Sequence, residues 1–174
     1  MDAVPLRRIV VGVNGSAASL AALRWAAAEA GLRRAGLLVV HVWDRTRRQV
    51  APYAALGGRT TPAEERSAAR SRLTGVLRVV FGPRPPASVT TELAEGLVAR
   101  VLLDRAADAD LLVLGATAHA EPGGSAARPH AGPVARACVN GASCPVVIVC
   151  APAVPQDIRD IDRMPDTAVD MAGR

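Results

Sequence analysis

Short runs of near-continuous apolar residues alternate along this chain with longer stretches whose apolar positions recur at helical spacing. The first run, Arg8-Ile9-Val10-Val11-Gly12-Val13, ends at Asn14-Gly15-Ser16. Ser16 suits a helix N-cap, and Ala17 to Arg34 is rich in strong helix formers. Gly36 breaks that pattern before Leu37 to Trp43, a run apolar enough to be buried on both faces. Asp44 to Thr61 reads as a polar loop. In Thr61-Pro62-Ala63-Glu64 the Thr can cap, the Pro suits the first helical position and the Glu can close a capping box. Ala69, Leu73, Val76, Leu77 and Val80 then share one helical stripe, which Pro83-Arg84-Pro85-Pro86 ends. Ser88 to Glu95 alternates as a more exposed strand, and Gly96 leads into a helix through Val98, Val101, Leu102 and Ala106. The fourth strand is Leu111–Gly115, a Gly-rich loop runs from Ala116 to Gly132, a helix covers about Pro133 to Val139, and Cys144–Val149 is the fifth strand.

Strand and helix alternating in this way imply right-handed crossovers and an α/β fold: a five-stranded parallel sheet with helices on both faces. Residues 1–150 are expected to form one domain, and the Pro-rich, charged segment 151–174 a disordered tail. In an open parallel sheet, ligands bind outside the carboxyl ends of the strands. The two strand ends followed by small residues, at Val13 and at Gly115, therefore point to a small-molecule or nucleotide site.

Composition changes this picture little. The chain has 174 residues and a formal charge of +5, and every one of its 21 basic residues is Arg. Arg in place of Lys, with abundant Ala, Gly and Pro, is the signature of GC-rich coding, so the charge alone does not require a polyanionic partner. Residues 1–62 carry nine Arg against three acids, which is the basis of a nucleic-acid reading. Two Trp, one Tyr and one Phe offer little for bases to stack on, which disfavours it. No run approaches the length of a membrane span. Residues 1–5 lack a basic segment followed by an apolar one, and Cys138, Cys144 and Cys150 are an odd set spaced too widely for zinc pairs. The expectation is a cytoplasmic protein with structural, reduced thiols and no metal.

Four segments together resemble the universal stress protein family: Ile9-Val10-Val11-Gly12-Val13-Asn14-Gly15-Ser16, Val39-Val40-His41-Val42, Asp108-Ala109-Asp110-Leu111-Leu112-Val113-Leu114-Gly115, and Ser143-Cys144-Pro145-Val146-Val147-Ile148-Val149. They occur in the family's order and spacing and cover about residues 7–150. The resemblance implies a Rossmann-like adenine-nucleotide-binding fold, and a homodimer paired through the last strand, here Val146, Val147, Ile148 and Val149. Members that bind ATP carry an Asp after the first strand and a Gly-x2-Gly-x9-Gly-Ser/Thr pattern after the fourth. Here the Asp position is Asn14; Gly115 matches the first Gly, Ala118 stands at the second, Gly132 at the third after a longer loop, and Pro133 replaces the hydroxyl residue. The nucleotide-binding positions expected are thus Val13, Asn14, Val42, Gly115, Ala118, Gly132 and Val134, with Ser125 of the loop as a replacement for the missing hydroxyl.

These departures set the functional expectation. Asn14 keeps one acceptor oxygen and adds a donor. Pro133 removes a hydroxyl and a backbone N–H from a helix start that would otherwise hold phosphate. Two readings of the loop follow: a rebuilt anion nest at Gly123-Gly124-Ser125, with Arg128, His119 and His130 nearby, or a solvated surface loop. His41 is either a satisfied strand-end histidine or a ligand or base. Arg45-Thr46-Arg47-Arg48 is either solvated or phosphate-facing, and Glu92 and Glu95 read as solvent-facing charge. No catalytic motif is present. The expectation is a regulatory stress protein that acts by binding, with weak or absent ATP binding. Its alternatives are an ATP-binding switch that uses the remodelled loop and a nucleic-acid-associated factor.

Overall fold

A computed structural model describes residues 7–43, 61–119 and 128–151. The elements in chain order are β1 (Arg8–Gly12), α1 (Ala17–Arg33), β2 (Gly36–Trp43), α2 (Pro62–Phe81), β3 (Val89–Glu95), α3 (Val98–Ala106), β4 (Leu111–Gly115), β5 (Thr117–His119), β6 (Arg128–His130), α4 (Pro133–Gly141) and β7 (Val146–Val149). Five strands form one sheet in the order β3-β2-β1-β4-β7, and every pairing in it is parallel. The chain order reverses between β1 and β4, which opens a crevice at their carboxyl ends.

The apolar runs become central strands because both faces of the sheet are covered. Ile9, Val11, Leu37, Val39, Leu111 and Val113 pack with Ala22, Leu23 and Ala26 of α1 and Leu73 and Val76 of α2. On the other face Val10, Val40, Leu112 and Leu114 meet Leu102 and Ala106 of α3 and Ala135 and Cys138 of α4. Each fully buried Leu or Val removes enough apolar surface to contribute about 1.5–3 kcal/mol. The alternating, more polar β3 is an edge strand, and β7 is the opposite edge.

The caps expected from the sequence fix two helix starts. Ser16 Oγ accepts from Ser19 N at 3.2 Å. Thr61 and Glu64 form a reciprocal capping box, Glu64 N to Thr61 Oγ1 at 3.2 Å and Thr61 N to Glu64 Oε2 at 2.6 Å. The Thr61 N–H holds the Glu64 carboxyl below its ordinary value.

Two readings are corrected. The segment after β4 is not a loop throughout: Thr117–His119 and Arg128–His130 pair antiparallel as a two-stranded ribbon, with Thr117 opposite His130 and Ala118 opposite Pro129. Glu92 is not simply solvent-facing. Arg105 of α3 donates to it from Nε at 2.8 and 2.9 Å and from Nη2 at 2.6 Å, tying α3 to β3. Those bonds hold the Glu92 carboxyl below its ordinary value. Arg45 to Arg48, Gly123 to Ser125 and the tail from residue 152 lie outside the described residues.

Candidate functional site

The crevice at the switch point is a cleft of about 1110 Å³. Its floor is the carboxyl ends of the central strands (Gly12, Val40 to Trp43, Leu114, Gly115), and its walls are the starts of α1, α2 and α4. The apolar runs bring these ends together because parallel pairing places Gly12 beside Val40 and Leu114 beside Ile148.

The β1–α1 turn is bonded internally. Asn14 Oδ1 accepts from Ser16 N at 3.0 Å, and Ser19 Oγ accepts from Asn14 N at 3.3 Å and donates to Ser16 O at 2.9 Å. Gly15 between them has φ +85°, a conformation that glycine adopts without steric cost. Beneath the turn, His41 is 3% exposed, and its Nδ1 lies 2.7 Å from the Val13 carbonyl. A carbonyl only accepts, so Nδ1 is assigned as the donor of this bond.

Both motif glycines have internal reasons to be glycine. A Cβ on Gly115 would stand 2.6 Å from Ala18 C and 2.7 Å from Ala18 O and Ser19 N, because β4 runs into the first turn of α1. A Cβ on Gly132 would overlap Thr117 Oγ1. Gly132 is the N-cap of α4, which has no side-chain capping bond, and Pro133 fills the next position. The main-chain donors at this helix start are therefore Val134 and Ala135, both on the cleft wall.

The family model described as the universal stress protein family matches residues 5–149. The chain belongs to the universal stress protein family. A universal stress protein of Mycobacterium tuberculosis is 32% identical over 148 residues, 85% of this chain and 50% of that protein. The chain thus spans about half the length of the curated relatives it matches. Among solved structures, a universal stress protein from Archaeoglobus fulgidus has a TM-score of 0.58 at 26% identity, covering 82% of this chain and 98% of its own. A structure of the universal stress protein from Archaeoglobus fulgidus in complex with dAMP has a TM-score of 0.52 at 25% identity, covering 82% and 97%.

Within this universal stress protein, Val13, Asn14, Val42, Gly115, Gly132 and Val134 all come to the one cleft. Ala118 instead sits in the ribbon opposite Pro129, and Ser125 lies outside the described residues. His41 also lines this cleft, with its Nδ1 bonded to the Val13 carbonyl. Cys138 is fully buried in the core, and burial pushes its thiol up, as befits a structural residue. The sequence reading missed Thr117 and three residues of α2: Glu64, Glu65 and Arg72. Glu64, Ala68 and Arg72 form a row of α2 beside the buried stripe of Ala69, Leu73 and Val76, but the period alone does not say which row faces the cleft.

Proposed function

We propose that this universal stress protein acts by reversible binding of an adenine nucleotide rather than by turnover, and that it holds ATP weakly or not at all. The observation that carries the second half is Pro133 at the first position of α4, behind an N-cap that offers no side chain. A triphosphate at that helix start loses one N–H and one hydroxyl. Each charge-assisted bond is worth about 1.5–3 kcal/mol, or one to two decades in affinity. The cleft itself and the dAMP complex of a structurally similar family member support adenine nucleotide as the ligand class. Val13, Asn14, Val42, Gly115, Gly132 and Val134 are the contact residues of this reading.

The assembly proposed is a homodimer through β7. Val146, Val147, Ile148 and Val149 are all partly exposed at the sheet edge, with β4 on one side only, and an apolar edge strand is a template for a second strand. Three free thiols favour a reducing, cytoplasmic setting.

Calorimetry with ATP, ADP, AMP and cyclic AMP tests the reading. It expects no ATP dissociation constant tighter than roughly 100 μM. Micromolar ATP binding, or ATP retained through purification, overturns it. Ultracentrifugation that finds a monomer at micromolar concentration overturns the dimer.

A further inference from the structure

Among the described residues, charge on the cleft wall comes from a single helix: the charged ones lining it are Glu64, Glu65 and Arg72, all on α2. The acids stand in the first turn, and the Glu64 carboxylate is turned back onto Thr61 N. Arg72 is eight positions further on, roughly 12 Å along the axis. Its Cγ and Cδ lie 3.4 Å from where a Cβ on Gly15 would stand. The stem therefore packs on the β1–α1 turn and leaves the guanidinium beside it. No carboxylate among the described residues pairs with this arginine.

The turn below it presents donors. The Asn14 side-chain oxygen is occupied by Ser16 N, the Ser16 hydroxyl oxygen by Ser19 N, and the Ser19 hydroxyl by Asn14 N and Ser16 O. The groups of this turn and of α2 still able to donate to a ligand are the Asn14 amide nitrogen, the Ser16 hydroxyl and the Arg72 fork. A full positive charge with a planar set of donors suits a phosphate. At the opposite wall the first position of α4 is Pro133, which has no N–H to give.

We propose that Arg72 is the phosphate-contacting residue of this cleft, holding the single phosphate of an adenosine monophosphate against the Asn14–Ser16 turn. The inference rests on the adenine-nucleotide reading above and narrows it, from adenine nucleotides in general to the monophosphate. It also assigns the anion to α2 and the β1–α1 turn instead of the start of α4.

The test compares AMP with adenosine on the wild type, Arg72→Gln and Arg72→Lys. Residue 72 is exposed on a helix and Gln is a good helix former, so the fold is retained; thermal unfolding checks this. Titration calorimetry should show AMP affinity falling roughly tenfold to a hundredfold in Arg72→Gln. Adenosine affinity should change by less than about twofold, and Arg72→Lys should recover part of the loss. Equal weakening of AMP and adenosine, or no weakening of either, overturns the role of Arg72 and leaves the nucleotide site standing. Absence of binding by both ligands to the wild type overturns the nucleotide reading and this proposal with it.

Discussion

The imidazole of His41 donates from Nδ1 to the main-chain carbonyl of Val13, 2.7 Å away across two neighbouring strand ends. Val13 N in turn donates to Val40 O at 2.9 Å, so β1 and β2 are tied one residue beyond the regular ladder. This clamp sets the height of the turn that carries Asn14.

Replacing His41 with Leu should therefore cost about 1–3 kcal/mol, because a carbonyl at the edge of a packed core loses its partner. Asn at the same position keeps a donor and should recover part of that loss. Urea unfolding of the two variants measures the difference.

The two kinds of glycine in the chain predict opposite signs. Gly115→Ala forces a methyl group into the backbone of the first turn of α1, which cannot swing aside, and should destabilise by about 1–3 kcal/mol. Gly75 lies within α2 with nothing within 4 Å of its missing Cβ, so Gly75→Ala should stabilise by about 0.5–1 kcal/mol. Midpoints of chemical denaturation, compared at constant slope, decide both.

The Glu92–Arg105 pair predicts a pH signature. The folded Glu92 carboxyl lies below its ordinary 4.5, so its contribution is fully present above that pH. It is lost as pH falls through the lower, folded value. Arg105→Gln should reduce stability by up to about 1 kcal/mol near neutrality, since the pair is partly exposed. Wild type and variant should converge once the pH has fallen below the lowered, folded value of this carboxyl; a gap that persists in stronger acid would assign the loss to packing instead.

Restoring the missing groups at α4 tests the cost of Pro133. Pro133→Ser returns a hydroxyl and an N–H to the cleft wall, and should tighten ATP binding by about one to two decades while AMP changes less. Calorimetry with both nucleotides reads the contrast.

Much of this architecture was legible in the chain. Leu37 to Trp43 announced a strand covered on both faces, and Ser16 and Thr61 marked helix starts, because those signals are local. The ribbon was not legible: Thr117-Ala118-His119 and Arg128-Pro129-His130 are too short to show a period, and one contains Pro. The fork between Arg105 and Glu92 joins residues 13 apart on different elements, so no helical or strand spacing flags it. In the site, the strand-end positions followed from the alternation of elements. Arg72 did not, since which row of α2 faces the cleft depends on how that helix packs. Gly115 carries a second constraint that the family pattern does not show: it lines the cleft, and the side where a Cβ would stand is filled by the first turn of α1.

The β5–β6 ribbon has a consequence for how this region tolerates change. Three antiparallel residue pairs hold the ends of segment 120–127 together, so the start of α4 is positioned by Thr117 against Gly132 rather than by that segment's length. Each doubling of such a span costs only about 0.6 kcal/mol of closure entropy. Residues inserted between His119 and Arg128 should thus leave the contact of Thr117 with Gly132 in place, which makes that interval a natural place for a reporter tag.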